Sequence, residues 1–138
     1  MESSYEKSEQ LRQRTKAFAM RIVKMVDGLP QRTSAFVLGK QVLKAGTSVA
    51  ANYRAACRAR SKPEFTAKIG VVSEEADECV FWLELLMQTD LVAEERLQNL
   101  LDEARELSAI FTASYDTSRG RAISQFRTSA VSHSKKEA

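Results

Sequence analysis

Four long stretches of this sequence carry an apolar residue every three or four positions, the spacing of one face of an α-helix. They cover about residues 6–27, 33–60, 62–89 and 93–118. The repeating positions are Leu11, Phe18, Ile22, Met25 and Leu29 in the first stretch; Ala35, Leu38, Val42, Ala45, Val49, Asn52 and Ala56 in the second; Phe65, Ile69, Val72, Ala76, Cys79, Leu83 and Leu86 in the third; and Leu97, Leu101, Ala104, Leu107, Ile110 and Phe111 in the fourth. No period-2 run with turn residues suggests a strand. The pattern predicts an all-α fold.

Short breaks separate the four predicted helices. Pro30 and Pro63, the two prolines of the chain, both fall at breaks, and Gly28 precedes the first. Because short connections place consecutive helices side by side, we predict an antiparallel up-down-up-down four-helix bundle over residues 1–118. From residue 119 small polar and basic residues replace the pattern, so residues 119–138 are predicted to form a disordered, basic, Ser/Thr-rich tail.

The start of the third helix carries a capping signature. Ser61 occupies the N-cap position and Glu64 follows three residues later, with Pro63 in the first turn, where proline is tolerated. We therefore predict that Ser61 and Glu64 cap this helix.

The sequence indicates a cytoplasmic protein. It contains no uncharged apolar run of about 18 residues, so no membrane span is predicted, and its polar N-terminus argues against a signal peptide. The two cysteines, Cys57 and Cys79, do not form a CxxC motif and are interpreted as reduced thiols.

Charge is divided between the two halves of the bundle. Residues 8–62 contain twelve basic and two acidic residues, a net of +10, whereas residues 63–118 contain three basic and thirteen acidic residues, a net of −10. Such segregation usually concerns partners: nucleic acid, a membrane or another copy of the chain. Here the two halves nearly cancel, which favours helix pairing and subunit contacts at least as much as phosphate binding.

Enzymatic interpretations lack the required residues. The only histidine, His133, lies in the predicted tail, so neither a Glu-x-x-His di-metal site nor a histidine-activated nucleophile is predicted. No glycine-rich phosphate loop occurs. The acidic cluster Glu74, Glu75, Asp77 and Glu78 fans out around a helix instead of converging on a cation. We predict no enzymatic activity, no cofactor, no metal and no small-molecule substrate.

A basic stripe runs along the second helix. Lys40, Lys44, Arg54 and Arg58 share one face opposite the apolar one. Three interpretations stay open: a surface that follows RNA or DNA phosphates, an ordinary solvated face, or a face that pairs with acidic residues such as Glu64, Glu75 and Glu78.

The segment 80–87 is apolar on nearly every side. A helix of a small monomeric bundle should bury only one stripe, so the surplus predicts contact with another subunit. The candidate oligomer-interface residues are Val80, Phe81, Trp82, Leu85 and Met87. A wide core face with Trp82 half exposed is the alternative.

Asn52 falls on the apolar face of the second helix and is predicted to be a polar residue in the core. A buried amide needs partners and can fix helix register, while nearby Gly46 could let another helix approach closely.

Three segments resemble one bacterial family. They are Ser48-Val49-Ala50-Ala51-Asn52-Tyr53 in the second helix, the turn Arg60-Ser61-Lys62-Pro63-Glu64-Phe65, and Ile69-Gly70-Val71-Val72-Ser73-Glu74-Glu75-Ala76 in the third helix. Leu29-Pro30 and Trp82-Leu83-Glu84-Leu85-Leu86 also fit. In these segments the chain resembles the four-helix-bundle proteins of 23S ribosomal RNA intervening sequences, over about residues 18–114. It departs from the family at Ala55, where relatives often carry glutamate, and in its basic tail.

The resemblance implies a bundle that assembles as a homopentameric ring. A related branch, the accessory proteins of diversity-generating retroelements, implies binding to nucleic acid and to a nucleic-acid-processing protein. We therefore expect a non-enzymatic homo-oligomeric interaction scaffold, with a structured-RNA or nucleic-acid-binding accessory protein as the alternative.

Overall fold

The computed structural model describes residues 3–120, which fold into four helices. These are α1 (Ser4–Asp27), α2 (Thr33–Cys57), α3 (Lys62–Gln88) and α4 (Glu94–Ser118). No strand occurs among the described residues. The predicted all-α four-helix bundle is confirmed. The predicted disordered tail, apart from residues 119 and 120, lies outside the described residues, as does His133.

Local sequence sets where the helices begin and end. At the start of α1, the Ser3 side chain accepts from the Glu6 backbone N–H, and the Glu6 carboxylate accepts from the Ser3 N–H. This reciprocal pair satisfies two donors that a helix start leaves unpaired. At the other end of α1, the backbone N–H of Gly28 donates to the Met25 carbonyl and that of Leu29 donates to the Val26 carbonyl, each at 3.1 Å.

The second helix ends at Cys57, before residue 60 where the periodicity placed its end. The reason lies in the cap of α3. Ser61 adopts an extended conformation and its Oγ accepts from the Glu64 N–H at 3.2 Å. The Glu64 carboxylate accepts from the Arg60 N–H at 3.0 Å instead of from Ser61. These bonds require a non-helical chain just before α3, so α2 stops early.

Consecutive helices pack against each other, and among the helix pairs that are in contact α1 and α4 touch least. Ile22 of α1 lies against Gly46 of α2, while Val26, further along α1, lies against Gly39, earlier on α2. Contacts of Thr66 with Ser118 and of Ser73 with Thr112 show the same reversed order in α3 and α4. Both pairs are therefore antiparallel, which is compatible with an up-down-up-down topology.

The core is a single apolar cluster contributed by all four helices. Its largest fully buried side chains are Phe18, Ile22, Val42, Val49, Ile69, Val72, Leu83, Leu86, Leu97, Leu101, Leu107 and Phe111. Thr15 is the one buried polar residue among those described, and its hydroxyl donates to the carbonyls of Leu11 and Arg12. This local bonding lets a threonine occupy a core position.

On α2 the core position predicted for Asn52 belongs to Tyr53, which is 6% exposed. The Tyr53 ring packs on Phe111 of α4, with centroids 5.2 Å apart. Asn52 is half-buried at the edge between α2 and α3. Steps of three and four residues are equally compatible with a helical face, and in the folded chain Val49 is followed by the four-residue step to Tyr53. The prediction of Asn52 as a core residue is corrected accordingly.

Arg14 joins the two helices that touch least. Its guanidinium donates to both oxygens of Glu103, at 2.9 and 2.6 Å, and to Glu106 at 2.6 Å. The hydrogen bond from Arg14 lowers the pKa of the Glu103 carboxyl. Two carboxylates of α4 are thus held by one residue of α1.

Within residues 3–120, no helix combines the length and the apolar character that crossing a membrane would require.

Candidate interaction surface

Large apolar side chains are exposed on three of the four helices. They are Tyr5 (72%), Met20 (55%) and Val23 (40%) on α1, Phe36 (68%) and Val37 (50%) on α2, and Val71 (45%) and Phe81 (52%) on α3. In the described range, α4 exposes none. The described part of α4 therefore exposes no large apolar side chain, whereas α1, α2 and α3 do.

The structure divides the predicted interface segment of α3. Val80, Trp82 and Met87 are half-buried and pack against the core, and Leu85 is also half-buried. Phe81 alone of the five predicted residues is largely exposed. Its ring stands edge-on to Trp82, with centroids 4.8 Å apart and planes at 86°. The surplus apolarity inferred from the sequence is thus concentrated at Phe81.

Carboxylates surround Phe81. Asp77, Glu78 and Glu84 lie three or four residues away along α3, which places them on the same surface. In the part of the chain that the structure describes, no lysine or arginine comes within 4.0 Å of these three carboxylates. Phe81 is therefore an exposed aromatic ring among carboxylates that form no ion pair within residues 3–120.

Glu75 belongs to the same acidic region but faces α2. Both of its carboxylate oxygens accept from Asn52 Nδ2, at 2.8 and 3.0 Å. Burial raises the pKa of Glu75, with a smaller contribution from the charges of Glu78 and Glu74, while the Asn52 hydrogen bond opposes the increase. Asn52 thus holds a carboxylate that forms no ion pair within the described residues.

The predicted basic residues of α2 are all exposed, and among residues 3–120 none forms an ion pair. They do not form one site. The Lys40 ammonium lies 5.4 Å from the centroid of the Phe36 ring. Lys44 lines a cavity between α2 and α3 together with Glu75, Glu78 and Phe81.

Arg54 and Arg58 lie towards the other end of α2, beside a polar groove of about 460 Å³. Arg60, Lys68 and Glu64 also line this groove. The Glu64 carboxylate accepts from the Arg60 N–H and lies 4.0 Å from the Lys68 ammonium. Its backbone N–H donates to the Ser61 hydroxyl. The side chains of Arg54, Arg58 and Arg60 are left without a carboxylate, a combination that suits a phosphate.

The turn between α1 and α2 holds an apolar cavity that the sequence pattern did not predict. It measures about 680 Å³ and its apolar lining residues are Val26, Leu29, Pro30, Ala35, Phe36, Gly39 and Leu43. Arg32 and Lys40 also line it, with no carboxylate among its lining residues. Gly39 was the available signal, because a glycine on a helix face that meets another helix marks close approach.

The two thiols are free. Cys79 is fully buried, and burial raises its pKa to about 12, with smaller contributions from Glu75 and Glu78. Cys57 is half-buried. Cys79 thus acts as a small apolar core residue.

The described part of the chain contains no cluster of three His, Cys, Asp or Glu side chains able to hold a metal ion. What this surface offers chemically is apolar contact and charge of both signs.

The chain is similar to one protein family and to solved structures. The model of the 23S rRNA-intervening sequence protein family matches residues 7–113. Among solved structures, a protein of unknown function from the S23 ribosomal protein family of Bacteroides thetaiotaomicron is similar, with 31% identity and a TM-score of 0.73. The similarity covers 80% of this chain and 98% of that one. No curated protein matches significantly.

Proposed function

The chain belongs to the 23S rRNA-intervening sequence protein family, and on this premise we propose that it is a non-enzymatic, homo-oligomeric bundle that acts as an interaction scaffold in the cytoplasm. A ring of five copies is the stoichiometry that family membership suggests. Neither matched description names an activity.

The distribution of exposed apolar residues carries this proposal. Six large apolar side chains of α1, α2 and α3 between residues 20 and 81 are at least 40% exposed, whereas the described part of α4 has none. Large apolar side chains left in water are a feature of surfaces that meet a partner. Repeated copies that place α4 outward and cover the other three helices would remove this surface from water.

Retention of an untagged copy by a tagged copy tests self-association. Both versions of the full chain are expressed in the same cells, and the tagged version is captured. We expect the untagged copy to be retained and to remain after washing with nuclease. An untagged copy found only in the unbound fraction would contradict the proposal.

Nucleic-acid binding is a second candidate function. Its support is the groove beside Arg54, Arg58 and Arg60, whose guanidinium groups have no carboxylate partner in the described chain. Phosphate contacts of this kind make affinity fall steeply as salt rises.

A structured RNA titrated at several salt concentrations tests this candidate. A variant with Lys40, Lys44, Arg54 and Arg58 all changed to Glu should lose binding, whereas the α4 control Arg96→Glu/Arg105→Glu should keep it. Equal affinity in the four-site variant and the wild type would exclude this surface as the binding site.

A further inference from the structure

Two features of the surface match each other in shape and in charge. One is the apolar cavity at the α1–α2 turn, which is wide enough for an aromatic ring at about 680 Å³ and is bordered by Arg32 and Lys40. The other is Phe81, 52% exposed and flanked by Asp77, Glu78 and Glu84. We refer to them as the turn cavity and the acidic knob.

Neither feature is satisfied within one copy. Phe81 is not among the residues that line the turn cavity. Among residues 3–120, Arg32 and Lys40 form no ion pair, and neither do the three carboxylates of the knob. Groups of opposite charge thus stay without an ion pair on two separate parts of the surface, although Lys44 lines the cavity between α2 and α3 beside Glu78 and Phe81.

We propose that the acidic knob of one copy inserts into the turn cavity of the next copy. The Phe81 ring would contact Leu29, Phe36 and Leu43, while its flanking carboxylates would pair with Arg32 and Lys40. This inference rests on the proposed self-association and names the contact that produces it.

Such a contact fits the physics of protein interfaces. A buried aromatic anchor in an apolar pocket supplies most of the binding energy, and surrounding charges fix orientation and exclude wrong partners. Because the acidic knob and the turn cavity lie on different helices, each copy presents its knob to one neighbour and its cavity to the other. A contact of this heterologous type closes into a ring when the rotation between copies permits.

The first test removes the aromatic ring. Phe81→Ala should raise the dissociation constant for assembly about 30-fold, the factor that corresponds to roughly 2 kcal/mol for an interface anchor. Tyr5→Ala, at an aromatic residue that is 72% exposed at the other end of the bundle, should leave assembly unchanged. Circular dichroism of each variant checks that the helices are retained.

Trp82, the only tryptophan of the chain, reports directly on the contact, because its ring touches Phe81. Its emission should shift to shorter wavelength as wild-type protein assembles with rising concentration. Assembly without any change in Trp82 emission would overturn the proposal.

A charge swap gives the sharper test. Arg32→Glu/Lys40→Glu and Glu78→Lys/Glu84→Lys should each weaken assembly at least tenfold. The chain that carries all four substitutions should recover it, because knob and cavity again have opposite charges. The control Arg96→Glu/Arg105→Glu changes the charge by the same amount as the cavity variant, on α4, and should have no effect. Failure of the four-site chain to recover would overturn the proposal.

Other occupants of the cavity give different outcomes. If the C-terminal residues filled it, Ile123→Glu/Phe126→Glu would abolish assembly and Phe81→Ala would not, which would overturn the proposal. A wild-type protein that is monomeric at all concentrations would refute the proposed function itself. An oligomer that none of the knob or cavity variants weakens would refute only this contact.

Discussion

At the scale of single residues, Asn52 and Glu75 form the polar link between α2 and α3. The Asn52 amide donates to both Glu75 oxygens. Because burial raises the pKa of Glu75 above that of an unfolded chain, its protonated form is favoured by folding. The stability that this group contributes is present below pH 4.5 and is lost as pH rises through the folded pKa.

Two substitutions should distinguish the effect of the Asn52–Glu75 hydrogen bond on stability from the effect of the Glu75 charge. Asn52→Ala removes a donor from a partly buried carboxylate and should lower the free energy of unfolding by about 1 kcal/mol. Glu75→Gln should be at least as stable as wild type at pH 7, because it removes the ionised group, and its stability should depend less on pH as pH rises above 4.5. Urea unfolding between pH 4 and 8 measures both, with the exposed Gln41→Ala as control. A large loss of stability in Glu75→Gln would contradict the role given to burial.

The two thiols should differ in reactivity. Cys79 is fully buried with a pKa of about 12, so a thiol reagent at pH 8 should modify it only at the rate of unfolding, whereas the half-buried Cys57 should react first. Counting modified thiols against time by mass spectrometry, with Cys57→Ala as reference, measures this. Fast modification of Cys79 in the native protein would disagree with its placement in the core.

At the scale of helices, two glycines of α2 allow α1 to approach, but they are not equivalent. A Cβ at Gly46 would lie 2.9 Å from Cγ1 of the fully buried Ile22, whereas a Cβ at Gly39 would meet the flexible end of Leu29 at 3.0 Å. The cost of a side chain should therefore be high at Gly46 and low at Gly39.

Gly46→Ala should lower the free energy of unfolding by about 1 kcal/mol, because crowding of Ile22 outweighs the roughly 1 kcal/mol that alanine gains over glycine in a helix. Gly39→Ala should be neutral or slightly stabilising. Thermal and urea unfolding of the pair measure the difference. Equal stability of the two variants would contradict the close packing of α1 on α2 at Gly46.

The link between α1 and α4 should be sensitive to acid. Because Arg14 lowers the pKa of Glu103, this carboxylate contributes stability above pH 4.5, and that contribution is lost as pH falls through the folded pKa. Arg14→Gln should cost about 1 kcal/mol at pH 7 and less below pH 4. Arg105→Gln, which breaks a contact within α4 only, is the control. A cost that does not diminish as pH falls below 4.5 would show that packing, and not charge, is lost.

At the scale of the whole molecule, sequence and structure agree on the number and order of helices. Helical periodicity and the breaks at Pro30 and Pro63 depend on local chemistry, so they could be read from the sequence. Whether Asn52 or Tyr53 lies in the core could not be read from the sequence. Both positions fit a helical face, and only contacts with the other helices decide between them. Gly39 was the one signal for the turn cavity in the sequence, since the cavity itself depends on where Val26 and Leu29 meet α2.

The folded structure also shows which charges of the basic and acidic halves pair within one copy. The sequence shows a basic and an acidic half, and the structure shows that these charges mostly fail to meet within one copy. The described ion pairs that cross between helices are those of Arg14 with Glu103 and Glu106. Residual charges of both signs therefore remain available to a second copy.

Sedimentation equilibrium of the full chain shows whether copies of this protein associate. The molar mass is measured over a range of micromolar concentrations at low and high salt and compared with the 15.4 kDa of one chain. We expect one defined multiple of that mass, with dissociation at high salt because screening weakens charge pairs between copies. A mass of 15.4 kDa at every concentration, at low as well as high salt, would contradict the account.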